Sequence, residues 1–473
     1  MKRLSILALL FSFFMIVSCD EDLEFSPSGS LKTEDAISNV QDLHNAINGV
    51  YERLIVPQAS LSSDMFVYGD YKGDSYDYAY NAGHSTHMGL TNQTATSDHS
   101  DNFYYVIYTA LGRANYVLEA ASKFSPDAAD KATYDSYVSE LHAIRGWLHF
   151  QAAILFCQIP TVNGGVDINA ENTGLVIADR IFPVDHRCKR STLAETYQFI
   201  TSELEYSIAN LTTGARKGGI NQYGAKAILS RVYLYLGDYD NALKYAVDVI
   251  NNSGASLYSI AQYSDAWSDV YTSEALVELG VTDNTGSQRH AIGYYAHPDG
   301  YAEFAFQESF FSYLQTRAGD VRATMISYKT ADDGTAGYFT NKYPGQKGSS
   351  TPLYSNSPKI IRLSEVYLIA AEAILKGGAT TGAQSAAFYI NELRKHRIVG
   401  YTDVASITID DVLEERQLEL HAEGHRFFDL VRNNRTFMSP FRGIIEPNAK
   451  TNLMAFPQRE IFISAGSLVQ NPY

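Results

Sequence analysis

The chain has 473 residues, 45% of them hydrophobic and 19% charged, which excludes a disordered polypeptide and exceeds what one compact core usually fills. Two lobes or an extended helical array are therefore expected. A formal net charge of -16 gives a surface that repels phosphate backbones, so nucleic acid is not an expected partner. Three cysteines exclude a disulfide-built scaffold but leave open whether Cys157 and Cys188 pair.

Residues 1–18 start with Lys2 and Arg3 and continue as an apolar run, too short for an ordinary membrane span and suited to export as a signal peptide. The run ends in Ile16-Val17-Ser18-Cys19, the pattern of a bacterial lipobox, in which Cys19 becomes the acylated first residue of the mature chain. Each lipid methylene then buried in a membrane contributes about 0.8 kcal/mol, while the polypeptide stays outside. Asp20, Glu21, Asp22 and Glu24 resemble the export signal of surface lipoproteins. Residues 19–32 read as a lipidated start and a tether, followed by one long domain, 33–473.

Helical periodicity begins near Thr33 and runs to Leu54, with Ile37, Val40, Leu43, Ala46, Ile47 and Val50 as its apolar stripe. Residues 56–100, rich in Tyr, Gly, Asp and Asn, read as long loops. Helices are predicted over 101–123, 131–157, 192–211, 219–236 and 239–251. In the last two, Ala225, Ile228, Leu229 and Val232 oppose Ala242, Ala246 and Val249 across Gly237-Asp238, a tetratricopeptide-like hairpin in which small residues let helices approach. Residues 252–357 return to loops and short elements.

The same logic recurs in 361–378 and 386–397, with Ser357-Pro358 as the expected cap and first-turn proline and Gly377-Gly378 as the stop. One long helix is predicted from Ile409 to Asn433, opened by a capping box of Thr408 and Asp411. The fold class is therefore all-α dominated. Tetratricopeptide-like hairpins form a scaffold over 33–55, 101–251 and 358–433, with a variable loop-rich lobe from 56–100 and 252–357 and a C-terminal segment, 434–473.

Glu415, Arg416, Glu419, Glu423, Arg426 and Asp429 have the composition of an acid–base site, but their helical spacing fits salt bridges that lock the scaffold. No catalytic residue is assigned. His84, His87 and His99, and separately Asp70, Asp74 and Asp77, lack the spacing of a zinc or EF-hand site, so neither a metal nor a cofactor is expected.

The order of several motifs resembles the SusD/RagB family of nutrient-binding outer-membrane lipoproteins. The likeness rests on Asn115 in YVIYTALGRANYVLEA, on Arg145, Phe150 and Pro160, and on Arg362, Glu365, Tyr367 and Ala370–Ala373. It continues through Asn391, Arg394 and Arg397, through Glu415 to Arg432 in EERQLELHAEGHRFFDLVR, and through Pro457, Glu460, Leu468, Gln470, Asn471 and Pro472. Cys157-Gln158 departs from the usual ending of its helix. The resemblance implies a lipid-anchored protein on the outer face of the outer membrane. It also implies noncovalent capture of a glycan ligand and a TonB-dependent outer-membrane transporter as partner.

Aromatic faces beside short polar groups suit sugar recognition, because a ring covers an apolar sugar face while amides and carboxylates take its hydroxyls. MFVYGDYKGDSYDYAYN (65–81) offers Tyr71, Tyr76 and Tyr78 for stacking and Asp77 and Asn81 for orientation. Tyr294 and Tyr295 form a second candidate. Tyrosine also contacts peptides, so a peptide-binding import protein stands as an alternative, and a secreted glycoside hydrolase as a weaker one.

Overall fold

A computed structural model describes residues 36–55, 61–77, 94–212, 218–285 and 288–471. In chain order these form α1 (Val40–Ile55), α2 (Asp64–Tyr71), β1 (Tyr76–Asp77), α3 (Asp98–Ala121), α4 (Lys131–Phe156), α5 (Leu193–Asn210), α6 (Gln222–Leu236) and α7 (Tyr239–Asn252). Then follow β2 (Ala275–Glu278), α8 (Ile292–Tyr295), β3 (Ala305–Phe306), α9 (Glu308–Gln315), β4 (Ile326–Thr330), β5 (Ala336–Thr340) and β6 (Lys359–Arg362). The chain ends with α10 (Leu363–Leu375), α11 (Ala386–Lys395), α12 (Ile409–Leu420), α13 (Arg426–Arg432), β7 (Phe437–Ser439), β8 (Gly443–Ile445) and α14 (Gln458–Ile463). None of the described helices is long and apolar enough to cross a membrane.

Helices pack as successive neighbours: α1 on α3, α3 on α4, α4 on α5, α5 on α6, α6 on α7, and α10 on both α7 and α11. The α6–α7 hairpin is the clearest unit. Gly237, at φ +86°, ends α6 in the left-handed region, and the Asp238 carboxylate accepts the Asn241 N–H to start α7. Ala225, Ala227, Ala242 and Ala246 are fully buried in this unit. The helical hairpins expected from periodicity are thus present.

Three boundaries differ from the sequence reading. Helix α1 starts at Val40 rather than Thr33, because the Asn39 side chain accepts the Asp42 N–H. Ser357-Pro358 caps no helix: residues 359–362 pair antiparallel with β2, and α10 starts only at Leu363. The long helix expected over 409–433 is broken between α12 and α13, although its Thr408–Asp411 capping box is present.

That break has a tertiary cause. Ala422 (φ +62°) and Gly424 (φ +80°) turn the chain, and the buried Asp70 carboxylate of α2 accepts the N–H groups of Gly424 (2.9 Å) and Arg426 (3.1 Å). Gly69 and Gly424 meet backbone to backbone; a Cβ on Gly69 would lie 2.0 Å from the Gly424 oxygen, and one on Gly424 2.7 Å from Phe66 Cα. Gly424→Ala should therefore lower stability by about 2 kcal/mol or more, through the positive φ and the clash together. Chemical-denaturation midpoints of the variant and the parent measure it.

Helix α2, placed by the sequence reading in a loop, is buried along its whole length. It seats a four-stranded sheet of order β1-β3-β5-β4, all antiparallel. The register aligns Tyr76, Phe306, Tyr338 and Tyr328 in one row across all four strands. The row is buried at Tyr76 and exposed at Tyr328, so one edge of the sheet belongs to the core and the other to the surface.

Candidate functional site

Beside this sheet the loop-rich lobe encloses a cleft of about 670 Å³, within the range of small-ligand sites. Helix α8 brings Tyr294, the 351–354 turn brings Thr351, Leu353 and Tyr354, and strands β4 and β5 bring Lys329 and Thr340. The local geometry follows from tight backbone contacts. Gly300 lies so close to Tyr294 that a Cβ there would sit 2.1 Å from the Tyr294 oxygen, and the Tyr301 N–H donates to that oxygen at 2.8 Å. This folds the loop so that Tyr301 meets Tyr294 edge-on, with centroids 4.8 Å apart, while Tyr354 stands 5.4 Å from Tyr294 on the other side. Tyr294 and Tyr354 are each half-buried, as a stacking surface requires.

The polar groups converge on the same space. His297 Nδ1 faces Asp299, 3.2 Å from its backbone nitrogen and 3.4 Å from its carboxylate. Burial, with Lys329 adding to it and Asp299 opposing it, holds the His297 pKa below its ordinary value. Burial likewise lowers that of Lys329. Thr351 Oγ1 has no hydrogen-bond partner among the described residues. The floor is fixed from below: the Tyr343 hydroxyl donates to the Ala422 carbonyl, and the Lys342 ammonium pairs with Glu423 at 2.7 Å. Aromatic walls, an imidazole, hydroxyls, one carboxylate and one ammonium, the last two opposite in charge, suit a polyhydroxylated ligand better than a multiply charged one.

Of the candidates named from sequence, Tyr294 lines this cleft. Tyr295, its neighbour, faces the other way and is buried, with His290 Nδ1 3.4 Å from its hydroxyl. Tyr71 and Tyr76 are also buried and are corrected from ligand contacts to packing residues. Tyr76 stacks on Phe304 at 4.4 Å and 3° and accepts the Ala422 N–H at its hydroxyl, and Tyr71 packs on Phe304 and Phe441. The aromatic residues of 65–76 are buried because helix α2 passes through the interior, where its polar groups are also held, Asp70 by the Gly424 and Arg426 N–H groups. Asp77 is exposed on edge strand β1 and does not line the cleft. Tyr78, Asn81, Cys19, His84 and His87 lie outside the described residues, as does the His99 side chain.

Tyr354, Thr351, His297, Asp299 and Lys329 were missed. Their only signal in sequence is an aromatic residue among turn formers, the same cue that marked Tyr294.

The acid–base motif of the C-terminal helices is a buried ion-pair network. Glu419 pairs with Arg397 (2.9 Å) and Arg362 (3.0 Å), Glu415 with Arg322 (2.6 Å) and Arg394 (2.6 Å), and Asp429 with Arg416 (2.8 Å) and Arg432 (2.6 Å). Glu274 reaches Arg362 and Arg397 from the turn that precedes β2. The Arg362 and Lys342 cations outweigh burial and bring the Glu423 carboxyl down to about 2; arginines do the same in direction for Glu415, Glu419 and Asp429. Carboxylates held this way stay ionised and do not shuttle protons. No cluster of three metal-ligating side chains occurs among the described residues. Cys157 and Cys188 are free thiols, and burial pushes the Cys157 thiol up to about 11, which leaves it unreactive.

Comparison with known proteins places these features in a family. Residues 239–461 match the SusD family, and residues 22–234 match a family described as starch-binding and associating with the outer membrane. SusD-like protein P38 from Formosa agariphila is 24% identical over 94% of both chains. The crystal structure of a SusD superfamily protein from Bacteroides vulgatus superposes with a TM-score of 0.84 at 27% identity, covering 92% of this chain and 99% of that one. Surface glycan-binding protein A from Bacteroides thetaiotaomicron, solved in complex with laminarihexaose, superposes with a TM-score of 0.73 at 19% identity, covering 92% and 99%. Matching models across both halves, a shared helical architecture and the buried charge motif lead to one conclusion: this chain belongs to the SusD family.

Proposed function

We propose that this protein is a surface glycan-binding lipoprotein that captures oligosaccharide or polysaccharide fragments and delivers them to a TonB-dependent outer-membrane transporter. The observation that carries the reading is the cleft between Tyr294 and Tyr354, where two half-buried rings face His297, Asp299 and Thr351. Stacking supplies most of the attraction, and the polar rim sets the orientation of the hydroxyls. Binding is noncovalent, so bound saccharide leaves unchanged. The description of the matched family as starch-binding and the laminarihexaose complex of a structural neighbour support a glycan over a peptide.

Isothermal titration of the protein with laminarihexaose, a panel of other neutral oligosaccharides and a set of defined peptides tests the ligand class. At least one oligosaccharide is expected to bind and to be recovered at its original length; a response to peptides alone overturns the reading. Copurification of a TonB-dependent transporter with the protein from solubilised outer membranes tests the partner.

Anchoring rests on Cys19. Cys19→Ala should move the protein from the membrane fraction to the soluble fraction, because one or more acyl chains supply the membrane affinity. Fractionation together with intact-cell labelling measures both the anchor and the outward orientation.

A further inference from the structure

A second cleft, of about 990 Å³, lies on the helical scaffold, between the 169–192 loop and the first turns of α5. It shares no lining residue with the tyrosine cleft. Its charge sets it apart in a chain of net charge -16: Arg180, Arg187, Lys189 and Arg190 all lie on its wall. Two of these are committed elsewhere. Arg180 pairs with Asp179 at 3.1 Å, and Arg190 is buried, donating to the Gly174 carbonyl and Asn471 Oδ1, both at 2.8 Å.

Two of the acids on the wall also have partners. Asp179 faces Arg180, and Glu195 turns back to accept the Thr192 N–H at 2.8 Å in the capping box of α5. Glu171 and Glu195 are both exposed, hydrogen bonds from Thr192 and the nearby Lys189 hold the Glu195 carboxyl below its ordinary value, and Asp185, in the same loop, is not on the wall. Arg187 and Lys189 are exposed and have no hydrogen bond or ion pair among the described residues. Four basic side chains against three acidic ones, Glu171, Asp179 and Glu195, give this concavity a net positive charge, which focuses the field there.

The cleft also has an aromatic platform. Phe182 and His186 stack at 4.2 Å and 9°, with the Arg180 guanidinium 5.4 Å over the Phe182 ring. The outer face of His186 is exposed. Asn169, Gln198 and Ser202 add neutral donors and acceptors on the wall. A ring face, amide and hydroxyl groups, and two exposed cations are the combination that a sugar bearing an anionic group requires.

From these features we infer that the 169–202 cleft is a second saccharide-binding site, selective for anionic sugars that carry carboxylate or sulfate ester groups, with Arg187 and Lys189 as the anion contacts. The inference rests on the reading of the protein as a glycan binder but uses different residues, so the two are tested apart. The full chain carrying Tyr354→Ala, which weakens the tyrosine cleft, is titrated with hexagalacturonate, with a sulfated laminarin oligosaccharide, with laminarihexaose and with inorganic sulfate.

At least one anionic oligosaccharide is expected to bind this variant, and which one binds separates carboxylate from sulfate recognition. Adding Arg187→Ala and Lys189→Ala should weaken that binding by about tenfold or more, and about 1 M salt, with a screening length of about 3 Å, should abolish it. Both side chains are exposed and unpaired, so the thermal transition should stay unchanged and report an intact fold. The proposal is overturned if neither anionic oligosaccharide binds the Tyr354→Ala protein, if binding ignores the double substitution, or if inorganic sulfate competes as well as the saccharide at equal charge. Failure of the broader glycan reading shows separately, as loss of laminarihexaose and every other neutral ligand from the unsubstituted protein.

Discussion

Glu419→Gln should destabilise the protein by about 3–5 kcal/mol, the usual cost of removing one partner from a buried ion pair. Glu419 is fully buried and receives Arg397 at Nε and Nη2, Arg362 at Nη1 and, at longer range, Arg322. The three guanidinium groups come from the turn after α11, from the end of β6 and from the segment before β4. Glutamine keeps the volume but leaves these cations short of their shared anion, in an interior where none can reach water. Denaturation midpoints compared with those of Glu52→Gln provide the contrast: the Glu52–Arg113 pair is exposed, so its loss should change little.

The same network fixes an acid limit. Glu415, Glu419, Glu423 and Asp429 have folded-state pKa values held below their ordinary ones by neighbouring cations. Their contribution to stability is fully present above the unfolded value near 4.5 for Glu423, and is lost as pH falls toward its folded value of about 2. A stability profile measured by thermal unfolding should therefore be level in this respect near neutrality and fall steeply below about pH 4.

Tyr354→Ala should weaken oligosaccharide binding by about 10–100-fold, the effect of removing an aromatic anchor worth about 1.5–3 kcal/mol. Tyr354 forms a wall of the cleft, and its ring, 5.4 Å from Tyr294, completes the stacking surface. Tyr294→Ala should act in the same direction. Tyr76→Phe is the informative control. Tyr76 is buried under Phe304 and Phe306, and its hydroxyl accepts the Ala422 N–H at 2.6 Å, so its substitution should lower stability and leave the affinity of the folded protein unchanged. Titration calorimetry beside thermal unfolding separates the two effects.

Tyr76 and Tyr294 also mark how far sequence carries toward a site. Both belong to runs of tyrosine among Gly, Asp and Asn, and nothing in either run tells a buried ring from an exposed one. The difference is set by residues far along the chain. Asp70 is captured by the turn at Gly424, which draws α2 and β1 inside, whereas Tyr294 is held at the surface by Gly300 and meets Tyr354 sixty residues later. The C-terminal motif behaved differently. Its Glu and Arg residues at helical spacing were recognisable as a scaffold lock, although of its ion pairs described only Asp429–Arg432 spans a single turn and the others join separate segments. Its partners Glu274, Arg322 and Lys342 were not, because they arrive from the loop-rich lobe.

By itself the amino-acid order determined the helical scaffold, its hairpins and the family, since each depends on periodicity, caps and motifs within a few turns of one another. Folding in three dimensions decided where the 409–433 helix breaks, which tyrosines see solvent, and where two separate clefts open. Those outcomes depend on contacts between segments hundreds of residues apart, where a backbone approach of a few ångströms or a single buried carboxylate outweighs the local preference of the chain.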